Sequence, residues 1–146
     1  MHATLEKFGY PSSLLADYRH WAVVIRPNQV TAGCVVLICK EDATSLPDIS
    51  DGAFSELRTV TSDIEGALRA AFSFNKINYL ALMMVDKHVH FHVIPRYAEP
   101  REFGSTVFKD AGWPKHPALG DAAPMTGGQL GDLRKHLISY WRSISG

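Results

Sequence analysis

Two short apolar runs, separated by turn-forming residues, dominate the first third of the chain. The runs are Trp21–Ile25 and Cys34–Cys39, and both are rich in valine and isoleucine, which favour strands. Arg26–Gln29 and Ala32–Gly33 lie between them and contain the proline, asparagine and glycine typical of turns. The pattern therefore predicts two neighbouring antiparallel strands.

The segment that follows these strands has helical spacing. Between Asp51 and Phe74, apolar residues recur every three or four positions, which marks one face of a helix. They are Phe54, Leu57, Val60, Ile64, Leu68 and Phe72. We expect this to be the main helix, and we expect Asn75 to end it in a left-handed conformation.

Two further extended runs, Ile77–Val85 and His88–Arg96, are separated only by Asp86 and Lys87, which predicts a tight hairpin. Such a turn would place Val85 opposite His88, Met83 opposite His90 and Ala81 opposite His92. Side chains alternate along a strand, so one face would carry all three histidines. The other face, toward a helix, would carry Asn78 and an apolar set: Leu80, Leu82, Met84, Val89, Phe91 and Val93.

The region from 97 to 126 breaks this rhythm, because its prolines and glycines exclude a continuous helix or a central strand. We expect a long ordered loop or extension there. Thr126 and Gln129 have the spacing of a helix-capping box, and the residues after them continue with helical spacing: Leu130, Leu133, Leu137 and Tyr140 or Trp141. A C-terminal helix is therefore predicted over 127–143.

Composition indicates an ordinary soluble protein. The chain has 146 residues, 46% hydrophobic and 21% charged, which favours a single domain over 1–146. Its formal net charge of zero argues against binding long nucleic acids through their backbone charge. Apolar runs are too short to span a membrane, and the N-terminus lacks a secretion signal, so a cytoplasmic location is expected. Cys34 and Cys39 are predicted to lie on opposite faces of a strand, unpaired.

The stretch most informative about chemistry is His88–Arg96, in which three histidines alternate with apolar residues. Three titratable rings along one face add nothing to a hydrophobic core and repel one another when protonated, so the pattern indicates function. The rings could bind a metal, although the nearest further ligands, Asp86 and Asp42, have no recognisable ligand spacing. Alternatively, one imidazole could attack a phosphorus atom while the others fix its tautomer and stabilise charge.

At His88–Ile94 the sequence matches the His-φ-His-φ-His-φ-φ motif of the histidine-triad (HIT) family at every position, and Pro95–Arg96 resembles its usual continuation. The order of elements over residues 15–97 is also similar to the HIT core. The resemblance implies an α+β fold: a roughly five-stranded antiparallel sheet, one long helix after the second or third strand, and a C-terminal helix. It further implies a two-fold homodimer that binds a nucleotide, within a divergent bacterial branch of the family.

The resemblance also implies a mechanism. His90 would attack the α-phosphate of a nucleoside phosphoramidate or dinucleoside polyphosphate, and water would hydrolyse the covalent nucleotidyl intermediate. His88 would orient His90 through its backbone carbonyl, which accepts the Nδ1 proton. His92 would contact the phosphate and protonate the leaving group. That mechanism requires neither a metal nor another cofactor.

Three positions depart from the family pattern. The Gly-Gln step before the triad is replaced by Leu82–Asp86, the histidine after the second strand by Asp42, and an asparagine near the first turn by Arg26. We expect Arg26 to pair with phosphate and Asp42 to bind ribose hydroxyls. Trp113 could stack on a base, contact a partner subunit or pack on its own core.

Two alternatives to the hydrolase or transferase remain at this stage. The missing Gly-Gln step would suit a non-catalytic nucleotide-binding module. A metal-dependent hydrolase would use His88, His90 and His92 as ligands.

Overall fold

The computed structural model describes residues 1–145, with side chains up to Trp141. Five strands form one antiparallel sheet in the order β1-β2-β3-β5-β4. The strands are β1 (Leu14–Asp17), β2 (Trp21–Ile25), β3 (Val35–Cys39), β4 (Lys76–Leu80) and β5 (His90–Arg96). The predicted α+β fold with a five-stranded sheet is therefore confirmed, and β1 is a strand that the apolar pattern did not reveal.

Helices cover both faces of the sheet. They are α1 (Ala3–Lys7), α2 (Asp51–Phe72) and α3 (Gly127–Ser145), and a short 3-10 turn, Leu46–Asp48, precedes α2. On one face, α2 and α3 share a core with alternate strand residues such as Val23 and Leu37. On the other face, Leu5 of α1 packs against Ala22 and Ile38. No helix in residues 1–145 is both long and apolar enough to cross a membrane.

The long helix α2 begins at a side-chain cap and buries one face. The Ser50 hydroxyl accepts a hydrogen bond from the backbone N–H of Ala53 at 3.1 Å, which caps the first turn. The predicted apolar face is buried at Val60, Ile64, Leu68 and Phe72. Phe54, at its beginning, was predicted on this face but is 43% exposed.

The end of α2 differs from the prediction. Ser73, and not Asn75, adopts the left-handed conformation, with φ 53° and ψ 54°. Asn75 already belongs to the approach to β4: its N–H donates to the Arg96 carbonyl at 2.9 Å, and its side-chain oxygen accepts from the Ala98 N–H at 2.9 Å. These bonds to the far end of β5 require the helix to end two residues earlier.

The predicted tight hairpin is wrong in its register. Strand β4 ends at Leu80, which lies opposite His92, one position away from the predicted Ala81. A one-residue shift moves every side chain of a strand to the other face. Leu80 and Asn78 therefore share the histidine face, whereas Tyr79 lies opposite Val93 on the helix face.

Backbone bonds to distant segments explain the longer loop between β4 and β5. The N–H of His88 donates to the Thr4 hydroxyl at 3.3 Å, and that of Val89 donates to the Ala43 carbonyl at 2.9 Å. With those groups engaged elsewhere, residues 81–87 cannot pair with them. Leu82 and Met84, expected on the buried face, are instead 49% and 84% exposed.

The region after β5 is ordered by a buried ion pair and by a small hairpin, β6 (Arg101–Phe103) and β7 (Thr106–Phe108). Arg96 Nε lies 2.7 Å from Asp110 Oδ2, and both side chains are almost fully buried. The predicted capping box is confirmed: the Gln129 N–H donates to Thr126 Oγ1 at 3.1 Å, and the Thr126 N–H donates to Gln129 Oε1 at 2.8 Å. Helix α3 then packs against α2 and β1.

Cys34 and Cys39 are both buried and free. They belong to different apolar clusters, which agrees with the prediction that they lie on opposite faces of a strand.

Candidate functional site

The triad lies on the face of the sheet that α1 covers. His90 and His92 of β5 stand opposite Ile38 and Val36 of β3, on the face against which Leu5 packs. The N-terminal segment therefore forms one wall of the site. Sequence analysis missed this wall, because a single helical turn with one buried leucine has no periodicity to detect.

His90 is held in one tautomer by the backbone. Its Nδ1 lies 2.6 Å from the carbonyl oxygen of His88. Because a carbonyl only accepts, Nδ1 must donate, and the lone pair is left on Nε2. This is the contact that the family resemblance implied. The ring is only 2% exposed, and the Phe8 ring lies 5.8 Å away, between centroids.

His88 is bound on both sides of its ring. Its Nε2 lies 2.7 Å from Asp42 Oδ1, and its Nδ1 lies 3.1 Å from Thr4 Oγ1. Asp42, predicted to bind ribose, thus contacts the first triad histidine in this structure. This pair lets the Asp42 carboxylate orient the ring of His88, the residue whose backbone carbonyl holds His90.

A fourth histidine, which sequence analysis did not select, joins the site. The His2 ring stacks on that of His88 at 3.9 Å between centroids, with planes 3° apart. His2 Nε2 lies 2.7 Å from the Cys39 carbonyl, and its Nδ1 accepts from the Leu5 N–H at 3.3 Å. One nitrogen donates and the other accepts, so the ring is neutral; burial lowers its pKa, and the nearby His88 adds to that effect.

His92 is bound by Arg26. The Arg26 Nε–H donates to His92 Nδ1 at 3.2 Å, so the His92 proton lies on Nε2. Burial, and then the charge of Arg26, lower the pKa of His92 to about 4. The ring is therefore neutral near pH 7. A neutral imidazole is a very weak acid, so in this state His92 presents its Nε2–H as a hydrogen-bond donor, and proton transfer from His92 to a leaving group stays a prediction.

Arg26 is half-buried, and among the described side chains, up to Trp141, it forms no ion pair with a carboxylate. Its Nη1 donates to the Asn28 carbonyl at 2.6 Å. Burial lowers its pKa, yet arginine stays charged in proteins. A half-buried cation beside the triad, lacking a carboxylate, is suited to an anionic ligand.

The turn that carries Arg26 is braced by Gln29, a fully buried residue that sequence analysis did not single out. Its Nε2 donates to the carbonyls of Arg26 and Cys34 at 2.8 and 2.7 Å, and its Oε1 accepts from the N–H groups of Gly33 and Cys34. These four bonds hold the turn in a fixed shape. A buried glutamine with this function gives no pattern in the sequence.

Trp113 lies away from the triad in this chain. It lines a groove of about 820 Å³ together with β4 and with Pro114–Pro117, the residues that follow Trp113. Asp86, one of the suggested metal ligands, forms an ion pair with Lys7 at 3.0 Å. Among residues 1–145, no group of three or more His, Cys, Asp or Glu side chains is arranged to hold a metal ion. The metal-ligand hypothesis thus has no geometric support in the described residues.

These features define the class of histidine-triad proteins. A five-stranded antiparallel sheet carries three alternating histidines, and the middle one is hydrogen-bonded to a carbonyl. The HIT domain profile matches residues 10–99, more than half of the chain. The chain therefore belongs to the HIT family, whose members are generally nucleotide hydrolases or transferases, although some are non-catalytic. None of the curated proteins compared with this chain matched it.

Solved structures with this fold come from bacteria, an archaeon and C. elegans. A histidine triad protein from Sinorhizobium meliloti has a TM-score of 0.72 at 18% identity, covering 95% of this chain and 94% of that one. One from Bradyrhizobium japonicum has a TM-score of 0.70 at 21% identity, covering 94% and 93%. A hypothetical histidine triad nucleotide-binding protein from Sulfolobus tokodaii has a TM-score of 0.70 at 17% identity, covering 91% and 85%. At these identities the likeness concerns the fold.

Proposed function

We propose that this protein is a nucleotide hydrolase or nucleotidyl transferase in which His90 attacks the α-phosphate of its substrate. The observation that carries the proposal is the 2.6 Å bond from His90 Nδ1 to the His88 carbonyl, which leaves the Nε2 lone pair for attack. Arg26 donates to His92, which lies two residues from His90 along β5, and no carboxylate among the described side chains pairs with its charge. This charge supports a phosphate as the group attacked. A nucleotide ligand also agrees with the similarity to the hypothetical histidine triad nucleotide-binding protein from Sulfolobus tokodaii.

The chemistry follows from these positions in two steps. The His90 Nε2 lone pair forms a bond to phosphorus, and the bond from phosphorus to the leaving group breaks. The His90 Nδ1–H remains on the His88 carbonyl, which disperses the positive charge of the imidazolium. Water or another acceptor then attacks phosphorus, the P–N bond breaks, and the acceptor's proton passes to solvent.

Substrate entry needs a local movement. His90 is 2% exposed and the Phe8 ring lies 5.8 Å from its ring, so we propose that the Phe8 side chain swings away to admit a nucleotide phosphate to Nε2. Phe8 itself is half-buried and caps the end of α1, where its N–H donates to the Thr4 carbonyl at 3.2 Å and its carbonyl accepts from the Ser13 hydroxyl at 2.5 Å, so the side chain moves while the backbone stays fixed. The same ring is then free to lie against a bound base.

Mass spectrometry of the intact protein tests the proposal directly. Wild type and His90→Asn are mixed briefly with a dinucleoside polyphosphate or with adenosine phosphoramidate, and His116→Ala, which alters an exposed histidine outside the triad, is the control. We expect an acid-labile nucleotidyl adduct on wild type and on the control, and none on His90→Asn.

The absence of both an adduct and turnover, with each of the two substrates, would overturn the proposal. Binding of the nucleotide under those conditions, measured by calorimetry, would favour the non-catalytic module instead. The burial of His90 is the observation that favours this second candidate, the non-catalytic module.

We also propose that the chain forms a two-fold homodimer. Strand β4 is the last strand of the sheet, and within the described residues no further strand pairs with its outer edge. Open edges are commonly covered by another strand. Light scattering is expected to give twice the mass of 16.2 kDa, and a monomer at all concentrations would contradict this.

A further inference from the structure

We propose that Arg26 is a positioning residue that keeps His92 neutral with its proton on Nε2, and that it thereby sets which leaving groups the site accepts. The inference rests on the proposed function for its catalytic meaning. Its structural core is the bond from Arg26 Nε to His92 Nδ1, 3.2 Å long, between residues 66 positions apart in the chain. The family pattern has an asparagine near the place of Arg26.

The chemistry of the guanidinium group determines the tautomer. Arginine has five N–H donors and no acceptor, so a nitrogen bonded to it must present a lone pair. An imidazole with a lone pair on Nδ1 carries its proton on Nε2. His92 therefore directs an N–H donor away from Arg26.

Arg26 is held where it can keep this role. Its backbone carbonyl is bound by the buried Gln29 amide at 2.8 Å, and its Nη1 is bound to the Asn28 carbonyl at 2.6 Å. A fixed positive charge beside an imidazole disfavours a second positive charge on the ring. Burial and Arg26 act in the same direction on the pKa of His92, which lies at about 4.

The other groups that face His92 do not reverse this effect. On its own strand, the His90 ring is 5.1 Å away and also lowers the pKa of His92, whereas Asp86 in the β4–β5 loop raises it. Asp86 is itself paired with Lys7 at 3.0 Å. From the N-terminal segment the neighbour is the Phe8 ring, and the residues opposite on β3 and β4 are Val36 and Leu80, which do not titrate.

A neutral His92 has consequences for the bond that breaks. In a phosphoanhydride, the P–O electron pair stays on a phosphate oxygen, which leaves as a stable anion and needs no proton. In a phosphoramidate, the P–N electron pair would stay on nitrogen, and departure requires a proton at that nitrogen. With His92 unable to supply it, the site should cleave phosphoanhydrides faster, while Arg26 offers its charge to the departing phosphate.

The test uses ¹⁵N-labelled protein and NMR of the ring nitrogens of His92 between pH 7.5 and 5. Wild type is expected to show Nε2–H and an unprotonated Nδ1 throughout. In Arg26→Met, which keeps the length and removes the charge, we expect the His92 pKa to rise by more than about one unit, toward the value of about 6.5 of free histidine.

Arg134→Met is the matched control, since Arg134 is also half-buried and donates its Nε–H to a carbonyl, that of Leu14 at 2.9 Å. It should leave the His92 spectrum unchanged. A wild-type His92 that carries its proton on Nδ1, or that titrates near pH 6.5, would overturn the inference, even if Arg26→Met failed to fold.

Kinetics separate this inference from the proposed function. The ratio of kcat/KM for a dinucleoside polyphosphate to that for adenosine phosphoramidate is measured from pH 5 to 8. We expect Arg26→Met to lower that ratio by about tenfold or more, mostly below pH 6.5, where its His92 becomes protonated. A ratio that is the same in wild type and Arg26→Met at every pH would refute the specificity role. Inactive wild type with the expected NMR result would refute the function alone.

Discussion

Two arginines on the histidine face of the sheet differ in how many of their donors other protein groups bind, and this difference indicates different roles. Arg96 is 3% exposed and bonds Asp110 through two nitrogens, at 2.7 and 3.1 Å, with Asn78 as a third partner at 2.8 Å. Among the described residues, Arg26 donates to the Asn28 carbonyl and to the His92 ring. The first arginine is satisfied by the protein, while the second has donors left for a ligand.

Removing the partner of Arg96 should destabilise the fold strongly. Asp110→Ala leaves a buried charge without its counterion, and such losses cost about 3–5 kcal/mol. Urea denaturation measures the change in the free energy of unfolding. Asp121→Ala, at an exposed aspartate in the same region, is the control and should change stability by less than about 0.5 kcal/mol. Equal effects of the two substitutions would show that the ion pair does not anchor the loop.

At the scale of elements, the end of helix α2 is a point of backbone strain. Ser73 has a φ of 53°, in the left-handed region, where a side chain is costly and glycine is not. Its backbone atoms are engaged: the N–H donates to the Arg69 carbonyl at 2.8 Å, and its carbonyl accepts from Arg101 at 2.9 Å. The conformation is therefore imposed by the tertiary structure around it.

Ser73→Gly should stabilise the protein by about 0.5–1 kcal/mol, because glycine adopts this conformation without strain and the backbone bonds are kept. Thermal or urea unfolding measures the gain. Asn75→Gly is the matched control. It should destabilise the protein, since it removes the side-chain acceptor of the Ala98 N–H without relieving strain. A loss of stability in Ser73→Gly would argue against strain at this helix end.

At the scale of the whole molecule, the N-terminal segment closes the histidine face. Its residues are tied down in several places: Leu5 in the core, Thr4 and His2 on His88, and Lys7 on Asp86. The Phe8 ring lies close to both rings, at 5.8 Å from His90 and 6.0 Å from His92. The arrangement lets one aromatic side chain control access to His90 while the rest of the segment stays anchored.

Phe8→Ala should expose His90. Deuterium exchange at the imidazole C2 position, followed by mass spectrometry, is expected to become several-fold faster at His90, because the ring leaves the cover that excludes solvent. His136, on α3 and far from Phe8, provides the internal control, and its rate should not change. An unchanged His90 rate would show that Phe8 does not limit access to the triad.

Much of the fold could be predicted because it depends on local patterns. The apolar run at β2, the buried face of α2 and the Thr126–Gln129 cap each involve residues within a few turns of one another, and all are present in the structure. The strand β1 and helix α1 escaped detection because they are too short to show a period. The register of β4 was missed by one residue for a different reason: the backbone of the loop before β5 bonds Thr4 and Ala43, which are distant in the chain.

By itself, the sequence determined the family and singled out the histidines from which the candidate nucleophile is proposed, since the alternation of His88, His90 and His92 along one strand is a local property. Only the tertiary structure decided which partners those rings have. Arg26 meets His92, Asp42 meets His88, and His2 and Phe8 cover the triad, all across large separations in the chain. These contacts set tautomers, charges and access, and no periodicity encodes them, because they arise where the turn after β2, the end of β3 and the N-terminus converge on one face of the sheet.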